Sequence, residues 1–123
     1  MKVIIAGSRT VTDPDLVERA VVNSGFHVTE VVSGGARGVD LLGERWVREC
    51  RVPIKRFNAE WDKYGKSAGY IRNRQMAQYV HENDPNGGAL IAIWNGYSPG
   101  TKGMIKDARE LGMQVYVEEV LAS

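Results

Sequence analysis

Cysteine, histidine and long apolar runs are what this chain has least of. Cys50 is alone, so no internal disulfide can form. Its position on the apolar side of a helical pattern makes it read as a small buried hydrophobe. His27 and His81 are isolated, and no Cys/His cluster has metal-ligand spacing. We therefore expect no metal and no cofactor. His81, near the end of a helical pattern, reads as a surface residue favoured by the helix dipole. After Met1 and Lys2 the apolar run is only Val3 to Ala6, too short for a signal peptide or a membrane span. The expected location is the cytoplasm, with no membrane partner. The net charge is +1, so the whole molecule is not a generic polyanion binder. There is no internal repeat, long low-complexity stretch or evident linker. Residues 1–123 are thus expected to form a single domain.

What is present is an alternation of short apolar runs with helical patterns. Hydrophobic content of 43% and charged content of 25% are ordinary for a globular protein. Val3 to Ala6 reads as a strand buried on both faces. Thr12 or Asp13 can cap the next helix, with Pro14 in its first turn and Gly25 at its exit. Val28 to Val32 makes a second strand, followed by a helix placing Val39, Leu42, Gly43, Trp46 and Cys50 on one side. Pro53 to Phe57 is a third strand. A long connection then leads to a helix over about 68–82. Ala89 to Trp94 is the fourth strand, Thr101 to Leu111 a helix ended by Gly112, and Met113 to Val117 the fifth strand. This order predicts an α/β fold, a doubly wound Rossmann-like parallel sheet of about five strands in the order 3-2-1-4-5, with helices on both faces. A ligand in such a fold sits outside the carboxyl ends of the strands, near the switch between strands one and four.

Four loops should meet at that edge. Strand one is followed by Gly7, Ser8 and Arg9. Strand two is followed by Ser33, Gly34, Gly35, Ala36, Arg37 and Gly38, with Asp40 just inside the helix. The third connection brings Lys66 and Ser67, with Arg72 and Asn73 further along. Strand four is followed by a loop ending in Gly100, Thr101 and Lys102. Glycine, hydroxyl and basic residues at helix N-termini suit phosphate, because unpaired N–H groups point outward and glycine lets oxygens approach. The dinucleotide fingerprint G-x-G-x-x-G does not fit "SGGARG", and "GKS" at 65–67 lacks the earlier glycine and the leading strand of a Walker A loop.

Asn73 shares a core-facing stripe with Met76, Ala77 and Val80, so its amide must bond either backbone or a ligand. Arg72 lies nearer that stripe than Arg74 and is the better candidate for the pocket. Trp61 and Tyr64 in the long connection either stack on a base, pin the loop or fill a subunit contact; loop packing is the reading we favour. Residues 51–74 hold seven Lys or Arg against Glu60 and Asp62, either a local positive field or a solvated face.

The combination of "AGSR" (6–9), "SGGARGVD" (33–40), "AGYIRNRQM" (68–76) and "SPGTKGM" (98–104) resembles the SLOG superfamily, which joins the DNA-processing protein A core to the Lonely Guy phosphoribohydrolases. The chain looks most like the small YspA-like branch found in bacteria and phages. The resemblance implies a domain that binds a nucleotide or a nucleotide-derived small molecule, as a sensor or sequestering protein, and that forms a homo-oligomer. Gly34, Gly35 and Gly38 would then cradle phosphate, Ser8 and Thr101 would donate hydroxyls, and Arg9, Arg37, Arg72 and Lys102 would balance charge. Asp40 would bond loop backbone or a ribose, the former being preferred. Lonely Guy enzymes hydrolyse the N-glycosidic bond of nucleoside monophosphates with an arginine that here matches Arg72. The glutamate of their P-G-G-x-G-T-x-x-E loop falls at Met104, and a thioether cannot stabilise an oxocarbenium-like transition state. Hydrolysis is accordingly the alternative, with no confident catalytic residue unless Arg72 serves. Single-stranded DNA binding is third, because charge near zero does not favour a nucleic-acid partner.

Overall fold

Val3 to Ala6 carries apolar side chains on both faces, and a strand of that kind belongs in the middle of a sheet. The computed structural model, which describes residues 1–35 and 38–120, puts it there. Strand β1 (Lys2–Gly7) pairs in parallel with β2 (Glu30–Ser33) on one side and β4 (Ala89–Trp94) on the other. Ile4 stands opposite Val32 and Leu90 in the two registers. Strands β3 (Ile54–Arg56) and β5 (Gln114–Glu119) close the edges, giving five parallel strands in the order β3-β2-β1-β4-β5. The expected order is the observed one.

Strand alternation divides the core in two. Ile4, Ala6, Val32, Leu90 and Ala92 point to one face and pack on Met76, Ala77 and Val80 of α4 (Ala68–Asn83) and Met104, Ile105 and Ala108 of α5 (Pro99–Glu110). Val3, Ile5, Val31, Ile91 and Ile93 point to the other, against Val17 and Ala20 of α1 (Pro14–Ser24) and Val39 and Val47 of α2 (Val39–Cys50). Asp13 caps α1 by accepting the Asp15 N–H at 3.0 Å, and Gly25 leaves it in the left-handed region (φ 71°).

Three local expectations need correction. Cys50 is exposed, not a buried hydrophobe. It is in phase with Val39 but is the last residue of α2, and the buried stripe runs instead through Val39, Asp40, Gly43, Glu44 and Val47. Phase alone does not bury a residue at a helix end. The long third connection contains a short helix, α3 (Trp61–Tyr64), and a 3-10 turn (Gly65–Ser67), both too brief to leave a periodic signal. His81 is half-buried rather than a plain surface residue, its Nδ1 lying 3.0 Å from the Gly87 carbonyl in the turn after α4.

Candidate functional site

Ser8 is the knot at the carboxyl edge. Its N–H donates to the Ile93 carbonyl (3.0 Å), its carbonyl accepts from Val11 N (3.3 Å) and Val39 N (3.4 Å), and its Oγ accepts from Asn95 N (3.1 Å). One buried residue thereby ties β1, the start of α2 and the end of β4. Gly38 caps α2 in the left-handed region (φ 78°), and a Cβ there would collide with the Ser8 carbonyl and the Arg9 backbone. Gly7 is fixed in the same way, against the Ile93 carbonyl. These glycines are needed so that the loops can touch each other.

The next layer is built on Arg72. Its guanidinium donates through Nη1 to the Gly34 carbonyl (2.7 Å) and through Nε to Asn73 Oδ1 (2.9 Å), and both side chains are about nine-tenths buried. Asn73 Nδ2 in turn donates to the Gly100 carbonyl at 3.4 Å. A Cβ on Gly34 would stand 2.8 Å from both the Arg72 guanidinium and an Asp40 carboxylate oxygen, so glycine leaves the space in which those charges meet. Burial disfavours the Arg72 cation, nearby Asp40 favours it and nearby Arg9 disfavours it; the net push on its pKa is downward. The sequence left Asn73 open between backbone and ligand. It bonds backbone and Arg72.

Ser33 and Gly35 are engaged internally as well. Ser33 Oγ donates to Glu44 Oε2 (2.8 Å) and accepts from Gly35 N (3.1 Å), while Arg56 pairs with Glu44 (3.2 Å) and donates to the Gly35 carbonyl (3.3 Å). Glu44 carried no signal in the sequence beyond lying one turn after Asp40. Thr101, also buried, donates its hydroxyl to Ser98 Oγ at 3.2 Å. Asn95 folds the preceding loop by accepting from Tyr97 N (2.9 Å) and Ser98 N (3.0 Å), which aims the first turn of α5 at the same edge.

Around this framework lie adjoining clefts. A tight one of about 70 Å³ is lined by Gly7, Arg9, Asp40, Arg72, Asn73, Gly100, Thr101 and Met104. A second, of about 410 Å³, is lined by Arg9, Arg72, Asn73 and Gly100 together with Trp61, Lys66, Tyr70 and Pro99. A third, of about 360 Å³, is lined by Arg9, Arg72, Trp61, Gly34, Gly35 and Asn58. Arg9 and Arg72 border all of them. Arg9 is exposed, and among the described residues no carboxylate lies within ion-pair distance of it. Trp61, Lys66 and Tyr70 thus join the candidate residues by position.

Lys102 does not join them. It lines a larger cavity of about 680 Å³ with Trp94, Ile105, Lys106 and Arg109, beyond α5. We regard the smaller clefts as the candidate site, because polar groups from separate loops converge on them at the switch between β1 and β4, as they do not in the larger cavity. Arg37 lies outside the described residues. The basic run at 51–74 is dispersed: Arg56 pairs with Glu44, Arg74 approaches Asp107 (3.8 Å), Lys55 stands over the Tyr79 ring (4.9 Å), and Lys66 and Arg72 reach the clefts. Among the described residues no His/Cys/Asp/Glu group could hold a metal, and no helix is long and apolar enough to cross a membrane.

A doubly wound parallel sheet with a cationic, glycine-bordered cleft at its switch point defines a Rossmann-like domain of the kind that receives ligands at the carboxyl edge. The model of YAcAr, the YspA, cpYpsA-related SLOG family, matches residues 1–64, and the chain belongs to that family. The matched part runs from β1 through α3 and includes Arg9, Gly34, Asp40 and Trp61. The chain is also similar to the Gene 61 protein of Mycobacterium phage D29, with 31% identity over 123 residues and 93% of each chain covered. No solved structure matches it.

Proposed function

We propose that the protein binds a nucleotide or nucleotide-derived small molecule in the clefts bordered by Arg9 and Arg72, acting as a sensor or sequestering protein. The observation that carries this reading is the convergence of Arg9, from the β1 loop, with Arg72, from α4, at the switch point. Arg9 disfavours the Arg72 cation, and an anion between them would relieve that repulsion. Gly34, Gly35 and the first turn of α5 at Gly100 and Thr101 border the same space, where unpaired helix N–H groups suit phosphate. Family membership supports the same class of ligand. The test is a thermal-shift screen with mononucleotides, dinucleotides, ADP-ribose derivatives and a short single-stranded oligonucleotide. A ligand at a hundred times its Kd should add about 2.7 kcal/mol and raise Tm by several degrees. A shift with the oligonucleotide alone would move the protein to DNA binding, against which the dispersed cations speak.

Hydrolysis of a nucleoside monophosphate is a second reading, favoured by Asp40. Its buried carboxyl lines the tight cleft beside Arg72, where a carboxylate could replace the acid that Met104 does not supply. Release of free base from a monophosphate, abolished in Asp40→Asn, would establish it; binding without turnover would exclude it. We also infer a cytoplasmic homo-oligomer, associated through the helices beside the site, which sedimentation at micromolar concentration tests directly.

A further inference from the structure

Trp61 is 53% exposed, although it is among the largest apolar side chains of the molecule. A tryptophan that only pins a loop is buried against it, as Tyr64 of the same connection partly is. Trp61 instead touches α4 by its rim, with Cη2 about 3.6 Å from where a Cβ on Gly69 would stand. Its indole is a wall of both larger clefts. The cleft of about 410 Å³ is lined by Trp61 and Tyr70 together with the cations Arg9, Lys66 and Arg72. Tyr70, 55% exposed, rests its ring edge 3.7 Å from a Cβ position on Gly103. The space thus joins two exposed aromatic rings with three cations. Tyr97 is more exposed still (79%) but borders neither cleft, so exposure by itself is not what marks Trp61.

Resting on the nucleotide-binding reading, we propose that Trp61 is the platform on which the ligand's base stacks, while the phosphate lies across Arg9 and Arg72. The arrangement orients the ligand: the base points toward α3 and the start of α4, the phosphate toward the loops after β1 and β2. Stacking of this kind tolerates different bases, because every base presents a π-face. The phosphate end therefore fixes the ligand's position, and the aromatic end requires that it carry a base at all.

The experiment is isothermal titration of wild type, Trp61→Ala and Trp61→Phe with the four common ribonucleoside 5′-monophosphates and with ribose 5-phosphate, which has the phosphate and no base. Trp61→Ala should weaken the nucleotides roughly tenfold or more and leave ribose 5-phosphate unchanged. Trp61→Phe keeps a π-face and should retain most of the affinity. Nucleotide should also quench tryptophan fluorescence in wild type and not in Trp61→Phe. Equal weakening of both ligand types in Trp61→Ala would mean that the indole acts by holding its loop, and would overturn the proposal, as would no weakening. If wild type binds ribose 5-phosphate as tightly as every nucleotide, stacking is wrong and the anion site stands. If it binds none of the probes, the mononucleotide form of the nucleotide reading falls together with the stacking proposal.

Discussion

The two ends of the same sheet treat charge in opposite ways. At the amino end, Lys2 pairs with Glu30 (3.3 Å), Tyr79 donates to the other oxygen of Glu30 (2.8 Å), and Lys55 sits over the Tyr79 ring. Asp84, buried, accepts from the backbone N–H groups of Lys2 (2.7 Å) and Asn86 (2.9 Å). At the carboxyl end, Arg9, Lys66 and Arg72 border the clefts, and Asp40 is the carboxylate beside them. One end satisfies its charges with its own residues; at the other, among the described residues that line the clefts, cations outnumber carboxylates. A fold needs the first arrangement for stability. In the second, Arg9 disfavours the Arg72 cation, and under the proposed function an anion completes the arrangement.

Substitutions at the two ends should separate these roles. The largest effect belongs to Arg72, which serves both. Arg72→Ala removes two buried hydrogen bonds and takes a cation from beside Asp40. The expected cost is about 3 kcal/mol in urea denaturation, besides lost ligand affinity. Arg72→Lys keeps the charge and loses the planar fork, and should recover part of the stability and little of the affinity. Equal stability of wild type and Arg72→Ala would show that the bond to Gly34 does not organise the loop.

Asp84 comes next and affects only the amino end. Burial opposes its ionisation, but the N–H groups of Asn86 and Lys2 outweigh that and hold its pKa below the ordinary carboxylate value. The folded state therefore binds this proton less readily than the unfolded chain does. The resulting stability is present above about pH 4 and is lost as pH falls through the lower folded value. Asp84→Asn should cost about 1–2 kcal/mol at neutral pH and flatten the acid limb of the stability curve, with ligand binding unchanged. Equilibrium unfolding from pH 2 to 7 checks both. A variant with wild-type acid dependence would remove Asp84 from the account.

How much of this could be read beforehand depends on the range of the interactions. Core faces follow from local periodicity, strand order from the alternation of strands with helices, and β4 runs from Ala89 to Trp94 as expected. Asn73 stands out because an amide on an apolar stripe needs partners, and Arg72 because it lies nearer that stripe than Arg74. The meaning of the glycines was less legible. Gly7, Gly34 and Gly38 invite phosphate when read alone, but each meets an atom from a distant part of the chain, and sequence spacing does not report such contacts. Cys50 misled for a related reason: helical phase gives a direction and does not say what covers it. Trp61 was visible as an oddity, and only the cleft around it gave it a place.

Gly34→Ala asks whether those contacts or a ligand require the glycine. The added methyl would press on the Arg72 guanidinium and the Asp40 carboxylate, both side-chain ends able to move at some expense. We expect a loss of about 1–2 kcal/mol in the free protein. If stability is unchanged while nucleotide affinity falls, the space at Gly34 is kept for ligand rather than for Arg72.

The smallest effect on stability should come from Arg9→Ala, and it sharpens the comparison most. Arg9 is exposed, and among the described residues no ion-pair partner faces it. Its removal should leave unfolding free energy within about 0.5 kcal/mol of wild type, or raise it slightly by relieving Arg72. Nucleotide affinity should fall roughly tenfold, because charge-assisted bonds to phosphate are the strong ones. A charge that the fold does not need and the ligand does is the signature of a site. If Arg9→Ala instead destabilises the protein and leaves affinity alone, the carboxyl end is another self-satisfied network like the amino end, and the positive surplus belongs to the fold.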